Sequence, residues 1–255
     1  MSQLEIRGAS KNFRGLQAVD HFDAETNEGE ILGLIGPNGA GKTTLFNLIT
    51  NTFALTEGAI YWKGENITGL RTDLIAKRGI LRTFQIPRIF THIDIYQNLL
   101  IGCHKNCSSG VFDAFLRTKR FRADDTIAHE KASEILDMFG MDSQRNVLAA
   151  NLPYGQMKRL AIAIVMTAEP QLLLLDEPAS GVNPNEKMAL IELIYRIRDM
   201  GISICVVDHD MRFIMEVCDR VIVLNYGKKI AEGRPAEIQN NNEVIEAYLG
   251  RKKGA

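Results

Sequence analysis

An apolar run, Glu30 to Ile35, breaks at Gly36 into Gly36-Pro37-Asn38-Gly39-Ala40-Gly41-Lys42-Thr43, and Lys42 to Ile49 then carries apolar residues at helical spacing. Strand, glycine-rich turn and helix in that order make a phosphate loop, with G-x-x-x-x-G-K-[ST] matched at every position. The glycines let successive backbone N–H groups curl around the α and β phosphates at a helix N-terminus, where the dipole favours anions. Lys42 reaches the β and γ phosphates, and the Thr43 hydroxyl ligates Mg2+. Thr44 stands where a dinucleotide-binding loop needs its third glycine, so that fingerprint is not met. The rival is a glycine-rich turn that matches by accident, and the flanking strand and helix weigh against it.

Hydrolysis at such a loop needs a magnesium carboxylate and a group that activates water. Leu172 to Leu175 is a continuous apolar run, as in a parallel strand covered on both faces, and it ends in Asp176-Glu177-Pro178. Both carboxylates therefore reach the C-terminal edge of a sheet, where open α/β folds bind nucleotides. Asp176 fits the magnesium shell, and Glu177 fits the base that accepts a proton from water. Acidic residues also solvate strand ends, which is the bland alternative.

Strands alternate with helices on both sides of a helical middle. Ile202 to Val207 and Arg220 to Leu224 read as further buried strands, and Asn183-Pro184 caps a helix through Met200. From Ile86 to Ala168 the pattern is mostly helical: Ala128, Ala132, Ile135 and Phe139 share one face, as do Leu160, Ile164 and Ala168. The expected fold is an α/β core with a parallel sheet and a helical insertion. The core spans 1–85 and 169–235, the insertion 86–168, and a C-terminal helix and tail 236–255.

Composition narrows the class. The 255 residues are 45% hydrophobic and 24% charged, an ordinary globular mixture. With 30 Lys plus Arg against 31 Asp plus Glu, the net charge of -1 gives no global pull toward nucleic acid. Four dispersed cysteines make no disulfide framework, and Cys103, His104 and Cys107 lack a second ligand pair at zinc spacing. The start, MSQLEIRG, lacks a signal-peptide profile, and no apolar run approaches the ~20 residues of a spanning helix. The expected location is the cytoplasm.

The ordered set resembles the ATP-binding subunits of ABC transporters across essentially the whole chain. That resemblance implies a P-loop NTPase core with an N-terminal antiparallel β subdomain and an inserted helical subdomain. It makes Phe13, in KNFRG, an aromatic that stacks on adenine. Gln85, in RTFQ, becomes the loop glutamine that senses magnesium and the membrane partner, and His209, in VVDHD, the switch histidine on the γ phosphate. Leu152-Pro153-Tyr154-Gly155-Gln156 becomes the signature that caps the nucleotide of the opposite subunit, and Ala179 to Asn183 the loop crossing the dimer interface. Taken singly, Phe13 reads as well as a core aromatic, His209 as a hydrogen-bonded core histidine, and Asn183 as a helix cap. Pro153 departs from the family's serine and supplies neither hydroxyl nor N–H, and Asn183 stands where Asp is commoner.

The Tyr-Gly-Gln signature, the GVNP segment, RTFQ and the ending VIEAYLG are similar to the branched-chain amino-acid importer ATPases. Relatives serving urea, amides or lipid export share parts of the pattern. The implied protein is a Mg2+-dependent ATPase, a homodimer or a heterodimer with a related subunit. It would sit on the cytoplasmic face of the cell membrane and drive two permease subunits, with a solute-binding protein as indirect partner and no nucleic acid. The basic run Arg117, Lys119, Arg120, Arg122 reads as a solvated face rather than a lipid contact. A DNA-repair-type ATPase would carry a long coiled coil or a zinc insertion held by four cysteines, and a translation-factor ATPase two cassettes. None of these features is present in the sequence, and Glu177 argues against a module that holds ATP without hydrolysing it.

Overall fold

The computed structural model describes residues 2–103, 113, 116 and 118–249, so His104, Cys107 and Arg117 lie outside the described residues. In chain order the first elements are β1 (Ser2–Phe13), β2 (Leu16–Asn27), β3 (Ile31–Ile35), α1 (Lys42–Ile49), β4 (Glu57–Trp62), β5 (Glu65–Asn66), α2 (Thr72–Lys77) and β6 (Ile80–Arg82). Three helices follow, α3 (Ile95–Cys103), α4 (Lys119–Met138) and α5 (Tyr154–Met166). The chain continues through β7 (Leu172–Asp176), α6 (Pro184–Asp199), β8 (Ser203–Val207), α7 (Met211–Val217), β9 (Arg220–Asn225), β10 (Lys228–Gly233), α8 (Pro235–Gln239) and α9 (Asn242–Leu249). These elements form two compact units. One comprises Met1–Gln85, Gln171–Ser180 and Pro184–Ala255, the other Ile86–Pro170 and Gly181–Asn183.

The first unit holds two sheets. One is antiparallel, in the order β2-β1-β4-β5. Its β1–β2 hairpin closes at Arg14-Gly15, both at positive φ, the turn that matches the twist of paired strands. The second sheet runs β10-β9-β3-β8-β7-β6, parallel throughout except for the antiparallel β9–β10 pair. β3, β7 and β8 are buried along their whole lengths, which is why each is mostly apolar, with Asp176 and Ser203 as polar ends of β7 and β8. One face of this sheet offers Leu32, Leu34, Leu172, Leu174, Cys205, Val207, Ile222 and Leu224 to a core shared with Leu45, Phe46, Leu48 and Ile49 of α1 and with Ile6, Phe22, Ile60 and Trp62 of the antiparallel sheet. The helix that follows the phosphate loop is thus packed between two sheets, and the loop is anchored at a rigid end.

The second unit is helical, as the apolar spacing predicts. α3 packs on α4 and α5, with Leu99, Ala132, Ile135, Leu136, Leu160 and Ala163 buried. Asn98 is fully buried and satisfied: its amide nitrogen donates to the Phe90 and Asp94 carbonyls, and its oxygen accepts from the Phe90 N–H at 2.8 Å. α4 starts earlier than its apolar face suggests. The Thr118 hydroxyl accepts from the Phe121 N–H and caps the helix, so Lys119, Arg120 and Arg122 sit in its first turns. Sequence periodicity also gave no sign of β6, whose three residues are too few to show a period.

Candidate nucleotide site

β3 ends at Ile35, and the chain turns at Gly36 with φ 152°. A Cβ on Gly36 would stand 2.1 Å from the Leu224 carbonyl oxygen at the end of β9, so only glycine lets the loop leave the sheet there. The loop is tied down at its far side, where the Gly227 N–H donates to the Ala40 carbonyl at 2.9 Å and the Asp20 N–H to the Gly227 carbonyl at 2.9 Å. α1 then opens after Gly41, with no side chain capping its first amides and no acidic residue in its first turn. Those amides are left for an anion. Pro37, Asn38 and Gly39 line a cavity of about 570 Å3 with Tyr226 and Glu246.

Lys42 folds back over the loop. Its Nζ donates to the Gly36 carbonyl at 2.7 Å and the Pro37 carbonyl at 2.9 Å. Burial lowers its pKa from the usual lysine value, against the opposing pull of Glu177 and Asp176. A desolvated ammonium that gives its protons only to carbonyls is ready to exchange them for phosphate oxygens. Thr43 is exposed and Thr44 half-buried at the head of the same helix.

The carboxylates stand at the C-terminal end of β7. Asp176 is buried and ion-paired with Arg82 of β6, Nη2 to Oδ2 at 2.6 Å, and its own N–H donates to the Thr83 hydroxyl at 3.3 Å. Glu177 has φ 47°, in the left-handed region a non-glycine residue seldom visits, a strain met chiefly at functional positions. Its N–H donates to the Val207 carbonyl at 2.7 Å, which carries the residue off the end of the sheet. The Gln85 amide donates to Glu177 Oε2 at 2.8 Å, and His209 Nδ1 lies 3.6 Å from the same oxygen. Gln85, Glu177 and His209 therefore meet, although they are far apart in the chain.

The His209 side chain is 59% exposed, and the residues on either side of it are fixed. Asp208, whose side chain is fully buried, accepts from the Asp210 N–H and the Ala179 N–H, both at 2.9 Å. Asp210 caps α7 by accepting from the Arg212 and Phe213 amides, and it pairs with Lys187 of α6 at 2.5 Å. Sequence reasoning passed over Arg82, Asp208 and Asp210. Their signals were slight, an arginine inside RTFQ and two aspartates flanking His209. It also passed over Tyr248 of α9, whose phenol desolvation pushes up to about 12 against an opposing pull from the Gly36 backbone.

Phe13 lies at the end of β1, 37% exposed, with its ring edge-on to Phe53 at 5.3 Å and Lys11 Nζ 4.9 Å from its centre. The core-aromatic alternative does not fit that exposure. The signature residues lie in the second unit. Pro153 is the N-cap of α5, so the amides of Tyr154, Gly155 and Gln156 open that helix with no side-chain cap. Among the described residues no three His, Cys, Asp or Glu side chains gather as a metal cluster. Cys205 and Cys218 are buried thiols whose pKa desolvation raises, to about 12 for Cys205.

The family model for "ABC transporter" matches residues 19–180, and that for "Branched-chain amino acid ATP-binding cassette transporter" matches residues 228–253. The chain is 42% identical over 253 residues to the high-affinity branched-chain amino acid transport ATP-binding protein LivG of Salmonella typhimurium, spanning 98% of this chain and 99% of that one. It is 38% identical to the counterpart BraF of Pseudomonas aeruginosa, spanning 97% of each. The crystal structure of the ADP conformation of an ATP-binding cassette of an ABC transporter superposes with a TM-score of 0.86 at 28% identity, covering 98% of this chain and 99% of that chain. With a phosphate loop, an Asp-Glu strand end and a helical second unit already in place, these likenesses establish that the chain belongs to the ATP-hydrolysing, ATP-binding subunits of ABC transporters.

Proposed function

We propose that this subunit powers the import of branched-chain amino acids as a magnesium-dependent ATPase paired head to tail with a second cassette. The observation that carries the catalytic reading is Glu177, off the end of β7 with its carboxylate 2.8 Å from the Gln85 amide and 3.6 Å from His209. Glu177 takes the proton of the attacking water, His209 contacts the γ phosphate, and Gln85 senses the cation. Gly36 to Thr44 hold the phosphates, and Phe13 stacks on the base.

The donors available to a divalent cation are the Thr43 hydroxyl, the Gln85 amide and the Asp176 carboxylate. Such hard oxygen donors suit Mg2+, which keeps several waters and takes one or two protein groups plus phosphate oxygens. Bound there, the cation would neutralise charge developing on the phosphates. The uncapped amides of Tyr154, Gly155 and Gln156 serve the nucleotide of the partner subunit. Two permease subunits carry the pair at the cytoplasmic face of the membrane, and a solute-binding protein delivers the amino acid. Among the described residues no helix is long and apolar enough to cross a membrane. The match over residues 228–253 and the two curated relatives support the choice of solute.

The test is Glu177→Gln in the assembled transporter. ATP binding should persist while turnover falls by ~10^2-fold or more, as for loss of a general base, and uptake of labelled leucine should fall with it. Near-normal turnover would remove Glu177 from the chemistry. A loss of turnover with leucine uptake untouched would leave the ATPase and reassign the solute.

A further inference from the structure

Arg82 is anchored more completely than a structural arginine needs to be. Its side chain is only 7% exposed, level with Asp176 at 6%. Nη2 donates to Asp176 Oδ2 at 2.6 Å and Nη1 to Asn47 Oδ1 of α1 at 2.6 Å. The guanidinium lies 5.4 Å from the ring centres of both Phe46 and Phe84. Its Nε is buried with no hydrogen-bond partner, a cost that a fold seldom retains without a use. Lys42, the other cation of the site, gives its hydrogen bonds to the Gly36 and Pro37 carbonyls. Before nucleotide arrives, therefore, Arg82 is the cation bonded to Asp176 among the described residues.

We infer that Arg82 is the resident counter-ion of Asp176, a positioning residue that occupies Oδ2 and keeps a divalent cation from binding until nucleotide brings it. In the empty site Arg82 balances the charge of Asp176, so that carboxylate carries little net charge to attract a free ion. Nucleotide phosphates change that balance, and one Asp176 oxygen remains available for the cation they bring. The guanidinium also ties the helix that starts at the phosphate loop to the strand that leads into Glu177. A lysine would keep the charge but lose the planar fork that spreads the two bonds over separate nitrogens. The inference rests on Asp176 serving the magnesium shell.

The experiment measures Mn2+ alone binding to nucleotide-free protein, by the electron-spin signal of the free ion. Arg82→Gln and Arg82→Met remove the charge in two ways, and the second fills the space between Phe46 and Phe84. Two variants are needed because breaking one side of a buried ion pair can unfold a protein; melting curves identify which is folded. A folded neutral variant should bind Mn2+ at least ~10-fold more tightly than wild type, since the unbalanced carboxylate now attracts it, and adding Asp176→Asn should abolish the gain. Unchanged Mn2+ affinity in a folded neutral variant overturns the inference. A separate arm tests its foundation: Asp176→Asn in the otherwise wild-type chain should raise the Mg2+ concentration needed for tight ATP binding. No change there would remove Asp176 from the magnesium shell, whatever Arg82 does.

Discussion

A methyl group added at Gly36 would stand 2.1 Å from the backbone oxygen of Leu224, whereas the same methyl at Gly39 meets nothing within 4 Å. Both residues have positive φ, so both substitutions carry a backbone strain of about 1–3 kcal/mol. Gly36→Ala adds a backbone clash that no side chain can relieve. It should lower stability by more than ~3 kcal/mol and abolish ATP binding, while Gly39→Ala should cost only the backbone strain. Urea titration with ATP binding on the same samples checks this, and equal losses at both positions would show that conformation alone matters. Phe13 makes a different residue-scale case. Being partly exposed, it should contribute little to folding, so Phe13→Ala should leave the melting temperature nearly unchanged. Base stacking is worth roughly 1–3 kcal/mol, and ATP and GTP affinity should fall together by that amount. Unaltered affinity would leave Phe13 as packing against Phe53. The glycines were legible because spacing alone identifies a phosphate loop. The exposure of Phe13 was not, because an aromatic reads the same in a core or on a rim.

α7 and α5 show how element ends decide chemistry. Asp210 caps α7 and pairs with Lys187, and the lysine contact, first among its causes, holds the Asp210 carboxyl below the usual carboxylate range. A carboxylate with a depressed folded pKa stabilises above its unfolded value and loses that contribution as pH falls through the folded one. Asp210→Asn keeps a capping oxygen and removes the charge. It should cost about 0.5–1 kcal/mol at pH 7, with the difference from wild type fading as the pH drops below about 4. Denaturant melts at pH 7 and pH 3 measure it, and a pH-independent difference would place the effect in the cap. At α5, Pro153 occupies the N-cap itself, so a serine there would offer its hydroxyl to the helix's own amides as well as to a ligand. The sequence showed that Pro153 lacks a hydroxyl; only the helix boundary showed that the replacement has two possible partners. The same limit hid β6, since three residues carry no readable period, yet that strand delivers Arg82 and leads to Gln85.

Association is the whole-molecule property at which the role proposed for the α5 end can be tested. If the amides opening α5 reach the partner's nucleotide, Pro153→Ser in a Glu177→Gln background should strengthen ATP-dependent dimerisation. A hydrogen bond to a charged group is worth about 1.5–3 kcal/mol, so the gain should be one to two orders of magnitude, with monomer ATP affinity little altered. Helix capping gains and proline loss are each near 1 kcal/mol with opposite sign, so thermal stability should barely move. Sedimentation with and without ATP reads the association, and no gain would mean that the backbone amides already suffice. At this scale the alternation of apolar runs and helical stripes determined the α/β core, its parallel strands and the helical insertion, because burial on two faces and on one face leave different periods in a sequence. The phosphate loop and the Asp176-Glu177 strand end were likewise written locally, as contiguous residues. The meeting of Gln85, Glu177 and His209 and the pairing of Arg82 with Asp176 were decided only by tertiary structure. Each joins residues whose separation in sequence carries no periodic signal, and strand order in the sheet is what brings their ends together.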